Sequence, residues 1–119
     1  MPKKLALVVD DSPDWRKALE ELLQERNYDV ITAKDRHSAL SLLSSNAFDV
    51  AVVDVNLTDE IYNAEGLLIN REFKNRSPKT RVILVSARDL TRKEHEEIKP
   101  STFVKKSHIY DALSSEKLD

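Results

Sequence analysis

Short runs of consecutive apolar residues recur along the chain, and the segments between them have helical spacing. The runs are mostly valine, leucine and isoleucine and do not alternate with polar residues: Leu5 to Val9, Val50 to Val53, Val82 to Val85, and Phe103 with Val104. Such runs are typical of strands buried on both faces of a parallel sheet. A further segment, Tyr28 to Ala33, is half polar, which predicts a strand at the edge of the sheet.

The intervening segments predict amphipathic helices. Ser12 can cap a helix that has Pro13 at its first position, and the apolar residues that follow fall at i, i+3, i+4, i+7 and i+8: Trp15, Ala18, Leu19, Leu22 and Leu23. Three shorter helices are predicted around the following groups: Ala39 to Leu43, Leu67 to Phe73, and His108 to Leu113.

A further helix is predicted before Pro100. Thr91 and Glu94 have the spacing of a capping box, in which each side chain caps the other residue's backbone N–H. Ile98 is the one sizeable apolar residue of this segment. We therefore expect a short and weakly anchored helix.

Strands that alternate with helices predict right-handed crossovers, a parallel sheet and helices on both of its faces. The pattern therefore favours a three-layer α/β sandwich, and the 119 residues suit a single domain over 1–119. In open sheets of this kind, ligands bind beyond the carboxyl ends of the strands. This rule selects the part of the chain in which to look for chemistry.

Composition excludes several classes of function. The 19 basic and 21 acidic residues give a net charge of −2, so we expect no nucleic-acid or membrane binding. The chain has no cysteine, which excludes disulfides and thiolate metal sites, and its one glycine excludes glycine-rich phosphate loops. No apolar run is long enough for a membrane span or a signal peptide. We expect a cytoplasmic protein.

Polar residues with chemical potential follow the predicted strands. They are Asp10, Asp11, Asp54, Ser86 and the pair Lys105 and Lys106. Alone, each is more often a turn former, a helix cap or a solvated charge. Parallel topology, however, brings all these strand ends to one rim of the sheet, where three carboxylates would face a hydroxyl and an ammonium group.

Three adjacent carboxylates need a cation. Two like charges about 4 Å apart repel by roughly 1 kcal/mol in water and about 4 kcal/mol at an effective dielectric of about 20. Mg²⁺ fits, because it prefers carboxylate and water oxygens and commonly acts beside phosphate. A carboxylate could then attack phosphorus and form an acyl phosphate. Asp54, the acid of the central strand, is the best candidate nucleophile.

The chain resembles the receiver domain of two-component response regulators over essentially its whole length. The matching segments are Val8 to Ser12, Val52 to Leu57, Pro78 to Ala87, and Phe103 to Lys106. The resemblance implies a flavodoxin-like (βα)5 sandwich with a five-stranded parallel sheet of order 2-1-3-4-5. It also implies a signalling domain that phosphorylates and dephosphorylates itself, rather than a multi-turnover enzyme.

The resemblance also implies a phosphoacceptor and a metal site. Asp54 would accept a phosphoryl group from a histidine kinase or a phosphotransfer protein. Asp11 and Asp54 would bind Mg²⁺ together with the backbone carbonyl of Asn56, and Asp10 would act through a metal-bound water. An unidentified downstream protein would read the phosphorylated state, and the sequence leaves a homodimer open.

Further residues would form the switch. Ser86 would move to hydrogen-bond the phosphoryl group, and Phe103 would swing inward with it. Lys106 would pair with the phosphoryl group or with Asp54, because the aromatic residue then stands three positions before the lysine, as in the family. Lys105 is the alternative.

Two positions of variable identity in the family, here Asn56 and Arg88, would tune the phosphoryl lifetime. The chain also departs from the family pattern. Ser107 replaces a usual proline, Thr58 stands where a loop proline is common, and the residues 59–63 lengthen the loop. We interpret this insertion as a tolerated surface loop. The predicted helix before Pro100 is short, so output through the face formed by that helix, the strand at Phe103 and Val104, and the last helix is the least supported implication.

Two alternatives belong to other functional classes. A haloacid-dehalogenase-like phosphohydrolase also uses an aspartate nucleophile, a hydroxyl, a lysine and Mg²⁺, but Asp54 to Asn56 offers one of its two motif acids. The other is a pseudo-receiver, which would bind a partner without being phosphorylated. All the reactive positions are filled, which argues against it.

Overall fold

The computed structural model describes residues 3–57 and 64–114, in which strands and helices alternate strictly. The elements are β1 (Lys4–Val9), α1 (Pro13–Glu25), β2 (Tyr28–Ala33), α2 (Arg36–Ser45), β3 (Val50–Asp54), α3 (Glu65–Arg76), β4 (Arg81–Ser86), α4 (Arg92–Ile98), β5 (Thr102–Lys105) and α5 (Ile109–Ser114). A 3₁₀ turn at Lys106–His108 joins β5 to α5. The predicted helices and strands are all present, most with ends shifted by one to a few residues.

The strands form one parallel sheet of order β2-β1-β3-β4-β5, as predicted. The order reverses between β1 and β3, which lie side by side at the centre of the sheet. At the carboxyl ends, Asp54 lies opposite Val85, and Ser86 lies opposite Lys105. The register therefore brings the polar ends of several strands to one rim.

Alternate residues of the strands feed two apolar clusters, one on each face of the sheet. One cluster joins strand residues to α2, α3 and α4, with Leu43, Ile69, Phe73 and Ile98 among its members. The other joins strand residues to α1 and α5, with Leu19, Leu23, Ile109 and Leu113 among its members. Because both faces are covered, the molecule is a three-layer α/β sandwich, and the predicted fold class is confirmed.

The two edge strands differ from the central ones in burial. In β2, the half-polar pattern corresponds to an edge position, as predicted. The prediction that Phe103 and Val104 are buried on both faces was wrong, since both are half-buried. The reason is that β5 forms the opposite edge of the sheet and pairs with β4 alone.

Side chains cap the first turns of α1 and α4. The Ser12 hydroxyl accepts a hydrogen bond from the backbone N–H of Trp15, with Pro13 at the start of α1. At α4, Thr91 and Glu94 form the predicted capping box, and the helix is short, with Ile98 as its buried residue.

Some predictions remain untested by the fold. Thr58 and the insertion at 59–63 lie outside the described residues, and the single domain over 1–119 stays a prediction. Within the ranges 3–57 and 64–114, no helix has the length and apolar character needed to cross a membrane.

Candidate functional site

Three carboxylates meet at the carboxyl ends of β1 and β3. One carboxylate oxygen from each of Asp10, Asp11 and Asp54 lies within 4.8 Å of the others. Asp10 is fully buried and Asp54 is 4% exposed, whereas Asp11 is exposed to solvent. The structure thus assembles the acidic cluster that the strand ends predicted, with an inner pair and an outer member.

Backbone hydrogen bonds hold the inner pair in place. The N–H of Asp10 donates to the carbonyl of Ala33, and its Oδ1 accepts from the N–H of Ser12 at 2.9 Å. Asp54 Oδ1 accepts from the N–H of Asn56 at 3.1 Å. Each aspartate therefore binds the N–H two residues ahead, a turn that aspartate favours and that directs the side chain over the strand end.

Lys106 supplies the cation of the cluster. Its Nζ lies 3.0 Å from Asp10 Oδ2 and 3.1 Å from Asp54 Oδ2, with the side chain 13% exposed. Lys105 turns instead toward Asp89, 3.6 Å away, with both side chains more exposed. The structure therefore brings Lys106, the lysine preferred from the spacing after Phe103, to the acidic cluster.

Burial and charge set the ionisation of this group. Burial, followed by the nearby charge of Asp10, raises the pKa of Asp54 to about 6, against the opposing influence of Lys106. Burial alone would lower the pKa of Lys106, but the carboxylates of Asp54 and Asp10 outweigh it and raise that pKa overall. One lysine therefore does not fully compensate the acids it contacts.

The donor set fits a hard divalent cation. Asp10 Oδ2 is buried and accepts no hydrogen bond within residues 3–57 and 64–114, although Lys106 forms an ion pair with it. Together with the raised pKa of Asp54, this leaves the cluster short of positive charge. Carboxylate oxygens at this spacing suit Mg²⁺, which prefers oxygen ligands.

Ser86, at the end of β4, lies beside the cluster. Its hydroxyl donates to Asn56 Oδ1 at 3.2 Å and accepts from the backbone N–H of Arg88, also at 3.2 Å. Asn56 also binds Asp54 through its own N–H. Ser86 is therefore connected to the segment that carries Asp54 through one intermediate residue.

Arg88 extends this network to α4. Both of its terminal nitrogens donate to the carboxylate of Glu94, each at 2.8 Å. The hydrogen bond from Arg88 lowers the pKa of Glu94 to about 2, with further help from the N–H of Thr91. This bidentate ion pair was not predicted, because the sequence relates Glu94 to Thr91 alone.

Phe103 lies half-buried on β5 and packs against α4. Its ring meets the ring of His95 edge-on, with centroids 5.6 Å apart and an interplanar angle of 87°. His95 lies on a polar segment of the sequence, which by itself indicates a solvent-facing side chain. It is exposed, but it also contacts the residue assigned to the switch.

Two residues near the site were missed by sequence reasoning. Gly66, at the start of α3, packs so closely on β3 that an added Cβ would lie 2.1 Å from the carbonyl oxygen of Asp54. Trp15 was predicted only as an apolar residue of the first helix, yet Lys106 Nζ also lies 5.0 Å from the centre of its ring. The sequence feature that could have drawn attention to them is that Gly66 is the one glycine of the chain and Trp15 its one tryptophan.

The five-stranded α/β sandwich and the acidic cluster at its rim are together typical of a receiver-type signalling module, and comparison with known proteins agrees. The family model for the response regulator receiver domain matches residues 6–114. The chain belongs to this family.

A solved structure of TrrA, a response regulator protein from Thermotoga maritima in complex with Mg²⁺ and BeF, superposes with a TM-score of 0.80. It shares 29% sequence identity, and the match covers 98% of this chain and 99% of TrrA. The match therefore extends over nearly the whole length of both chains.

Curated relatives extend the comparison to longer proteins. The response regulator PilR of Pseudomonas aeruginosa is 33% identical over 87 residues, which are 73% of this chain and 19% of PilR. The response regulator MprA of Mycolicibacterium vanbaalenii is 32% identical over 89 residues, which are 75% of this chain and 36% of MprA. The chain therefore spans a minor part of the length of these relatives.

Proposed function

We propose that this chain is a phosphoacceptor receiver in a two-component phosphorelay, with Asp54 as the phosphorylated residue. The observation that carries the proposal is the convergence of Asp10, Asp11 and Asp54 within 4.8 Å, with Lys106 bound to the inner pair. Neither a turn nor a helix cap accounts for three carboxylates gathered around a nearly buried lysine.

The reaction is an in-line phosphoryl transfer. The ionised carboxylate of Asp54 attacks phosphorus, a P–O bond to Asp54 forms, and the P–N bond to the donor histidine breaks. The electron pair of that bond returns to the imidazole. Because the pKa of Asp54 is about 6, most molecules carry the required carboxylate at neutral pH. Lys106 and the hydroxyl of Ser86 would stabilise the charge on the transferred oxygens.

Asp10, Asp11 and Asp54 are the residues that would hold Mg²⁺, with the backbone carbonyl of Asn56 as a further ligand. TrrA, which was solved with Mg²⁺ and BeF, supports this assignment by similarity. When bound, the ion would neutralise phosphate oxygens as charge builds on them. The three side chains supply the hard oxygen donors that the ion prefers.

Ser86 and Phe103 would convert phosphorylation into a change of surface. In the structure Ser86 binds Asn56, and Phe103 contacts His95. A phosphoryl group would draw the Ser86 hydroxyl away from Asn56, and Phe103 would leave His95 as it swings inward. Such a shift requires that the new arrangement bind the phosphoryl group better than the old one. A histidine kinase or phosphotransfer protein is the proposed donor, in the cytoplasm, and an unidentified protein is the proposed target.

Phosphorylation by a small donor tests the proposal. Incubation with acetyl phosphate and Mg²⁺ should add one phosphoryl group, about 80 Da, to the intact protein. Asp54→Asn should abolish the adduct, whereas Asp89→Asn, which neutralises an exposed aspartate outside the cluster, should leave it unchanged. Continuous turnover of acetyl phosphate without an adduct would favour the phosphohydrolase. No adduct and no turnover would favour the pseudo-receiver.

A further inference from the structure

The carboxylate of Glu94 is bound by more donors than helix capping requires. Its Oε1 accepts from the backbone N–H of Thr91 at 2.8 Å, which completes the capping box. Both of its oxygens also accept from the guanidinium of Arg88 at 2.8 Å. The Glu94 side chain is 15% exposed, so this is a partly desolvated, bidentate pair and stronger than a solvated surface pair.

This ion pair is connected to the candidate site through the backbone. Arg88 stands two residues after Ser86, and its N–H donates to the Ser86 hydroxyl. Ser86 in turn donates to Asn56, which binds Asp54. Movement of the Ser86 hydroxyl toward a phosphoryl group would break the bond from Arg88 and free the loop between β4 and α4 on one side. Glu94 restrains the same loop on the other side.

One donor of Arg88 remains unsatisfied in this arrangement. Its Nε is buried and has no hydrogen-bond partner among the residues that the structure describes. A buried donor without an acceptor costs free energy, whereas the terminal nitrogens are well satisfied. Arg88 is therefore fixed by its two hydrogen bonds to Glu94, but its Nε still lacks an acceptor among the described residues. A strong acceptor nearby would compete with Glu94 for the guanidinium.

We propose that Glu94 is a positioning residue that binds Arg88 while Asp54 is unmodified. When Asp54 is phosphorylated, Arg88 leaves the Glu94 carboxylate and binds the phosphoryl oxygens. This inference rests on the proposed function and deepens it. A phosphoryl group adds about −1.5 to −2 charge and three strong acceptors, so it competes well with a single carboxylate. Because the pair with Glu94 must break first, Glu94 lowers the net affinity of the site for the phosphoryl group.

The exchange predicts opposite effects for the two partners. Glu94→Gln removes the charge that holds Arg88 but keeps an oxygen able to accept from Thr91, so the helix cap is retained. It should tighten the binding of beryllium fluoride, a phosphoryl mimic, by roughly fivefold in the presence of Mg²⁺. Arg88→Gln should weaken that binding, because it removes the cation that would be recruited.

The double variant separates this mechanism from a general effect on α4. If Glu94 acts through Arg88, then Glu94→Gln should change the affinity in the native background and have no effect in the Arg88→Gln background. Binding can be followed through the fluorescence of Trp15, whose ring lies 5.0 Å from Lys106 Nζ, and by calorimetry. Glu96→Gln is the matched control, since it breaks an exposed pair with Lys99 on the same helix.

The outcomes distinguish this inference from the proposed function. If the native protein binds no beryllium fluoride with Mg²⁺, both fail. If the native protein binds it but Glu94→Gln has the same effect with and without Arg88, the exchange is wrong and the phosphoacceptor proposal stands. Equal affinity of Arg88→Gln and the native protein would also overturn the exchange. Thermal melting of each variant verifies that it is folded under the conditions of the titration.

Discussion

Lys106 Nζ reaches Asp54 Oδ2 at 3.1 Å across a strand that lies between them. Asp54 ends β3, Lys106 follows β5, and β4 separates the two strands in the sheet. The same Nζ also contacts Asp10 after β1, so one lysine joins three strand ends. The rim of the sheet therefore depends on this cation to compensate its buried acids.

Removal of the Lys106 charge should destabilise the metal-free protein. Lys106→Met leaves two buried carboxylates without their cation, and breaking a buried pair in this way typically costs about 3 kcal/mol. The free energy of unfolding, measured by urea denaturation at pH 7.5 with a chelator, should fall by about this amount. Saturating Mg²⁺ should recover a large part of the loss, because the ion would bind the folded state alone.

Lys105→Met is the matched control for this experiment. Lys105 pairs with Asp89 on the surface, where both side chains are well exposed, and such pairs contribute about 0–1 kcal/mol. Its unfolding free energy should remain close to that of the native protein with or without Mg²⁺. An equal loss in the two variants would show that the contacts of Lys106 with Asp10 and Asp54 contribute no more to the free energy of unfolding than an exposed ion pair does.

Asp54→Asn should stabilise the metal-free protein at neutral pH. The pKa of Asp54 is raised from 3.8 in a solvated chain to about 6 in the folded state. The contribution that Asp54 makes to the free energy of unfolding is therefore fully present below pH 3.8 and is lost as the pH rises through 6. A neutral amide avoids this loss, so the variant should gain on the order of 1–2 kcal/mol at pH 7.5.

The pH dependence identifies the source of that gain. The difference in unfolding free energy between Asp54→Asn and the native protein should shrink as the pH falls from 7.5 to 4 in the presence of a chelator. Mg²⁺ should reduce the difference at pH 7.5, because it favours the ionised carboxylate of the native protein. A difference that is constant with pH would rule out the ionisation of Asp54 as its cause.

Sequence patterns were sufficient for the fold and for the acidic cluster, because both depend on simple periodicities. Uninterrupted apolar runs placed β1, β3 and β4 inside the sheet, and parallel topology alone brought Asp10, Asp11 and Asp54 to one rim. The half-buried β5 was misjudged because a run of two apolar residues carries too little pattern to distinguish an edge from a centre.

Contacts between side chains of different elements were not predictable in the same way. The pair of Arg88 with Glu94, and that of Phe103 with His95, depend on how α4 is placed against the loop after β4 and against β5. Helical periodicity says which face of a helix is apolar, but α4 has a single buried residue, Ile98, and thus almost no pattern to orient it.

Gly66 is expected to be required for the geometry of the site. Alanine normally stabilises a helix relative to glycine, but here its Cβ would lie 2.1 Å from the carbonyl oxygen of Asp54 and 2.6 Å from the Cα of Val55. These are backbone atoms at the end of β3 and in the residue that follows it, so α3 must move away. Gly66→Ala should lower the unfolding free energy by about 2 kcal/mol or more.

The displacement of α3 should also reach Asp54. The phosphorylation rate with acetyl phosphate and the affinity for beryllium fluoride should both decline in Gly66→Ala. Leu68→Ala, on the same helix but 38% exposed, should have little effect on either quantity. A Gly66→Ala variant with native stability and native labelling would show that the close approach of α3 to β3 can be relaxed without consequence.

The ion pair of Glu94 with Arg88 should contribute to stability in a pH-dependent way. The pKa of Glu94 falls from 4.5 in a solvated chain to about 2 in the folded state, chiefly through its hydrogen bond with Arg88. The contribution is fully present above pH 4.5 and is lost as the pH falls through 2. Since 36% of the Arg88 side chain is exposed, solvent screening limits the contribution to about 1 kcal/mol.

Glu94→Gln should therefore be less stable than the native protein at pH 6 by about this amount, and the gap should narrow toward pH 3. Glu96→Gln, which breaks an exposed pair, should show no such gap. A Glu94→Gln deficit of the same size at pH 6 and pH 3 would mean that packing, rather than charge, accounts for it.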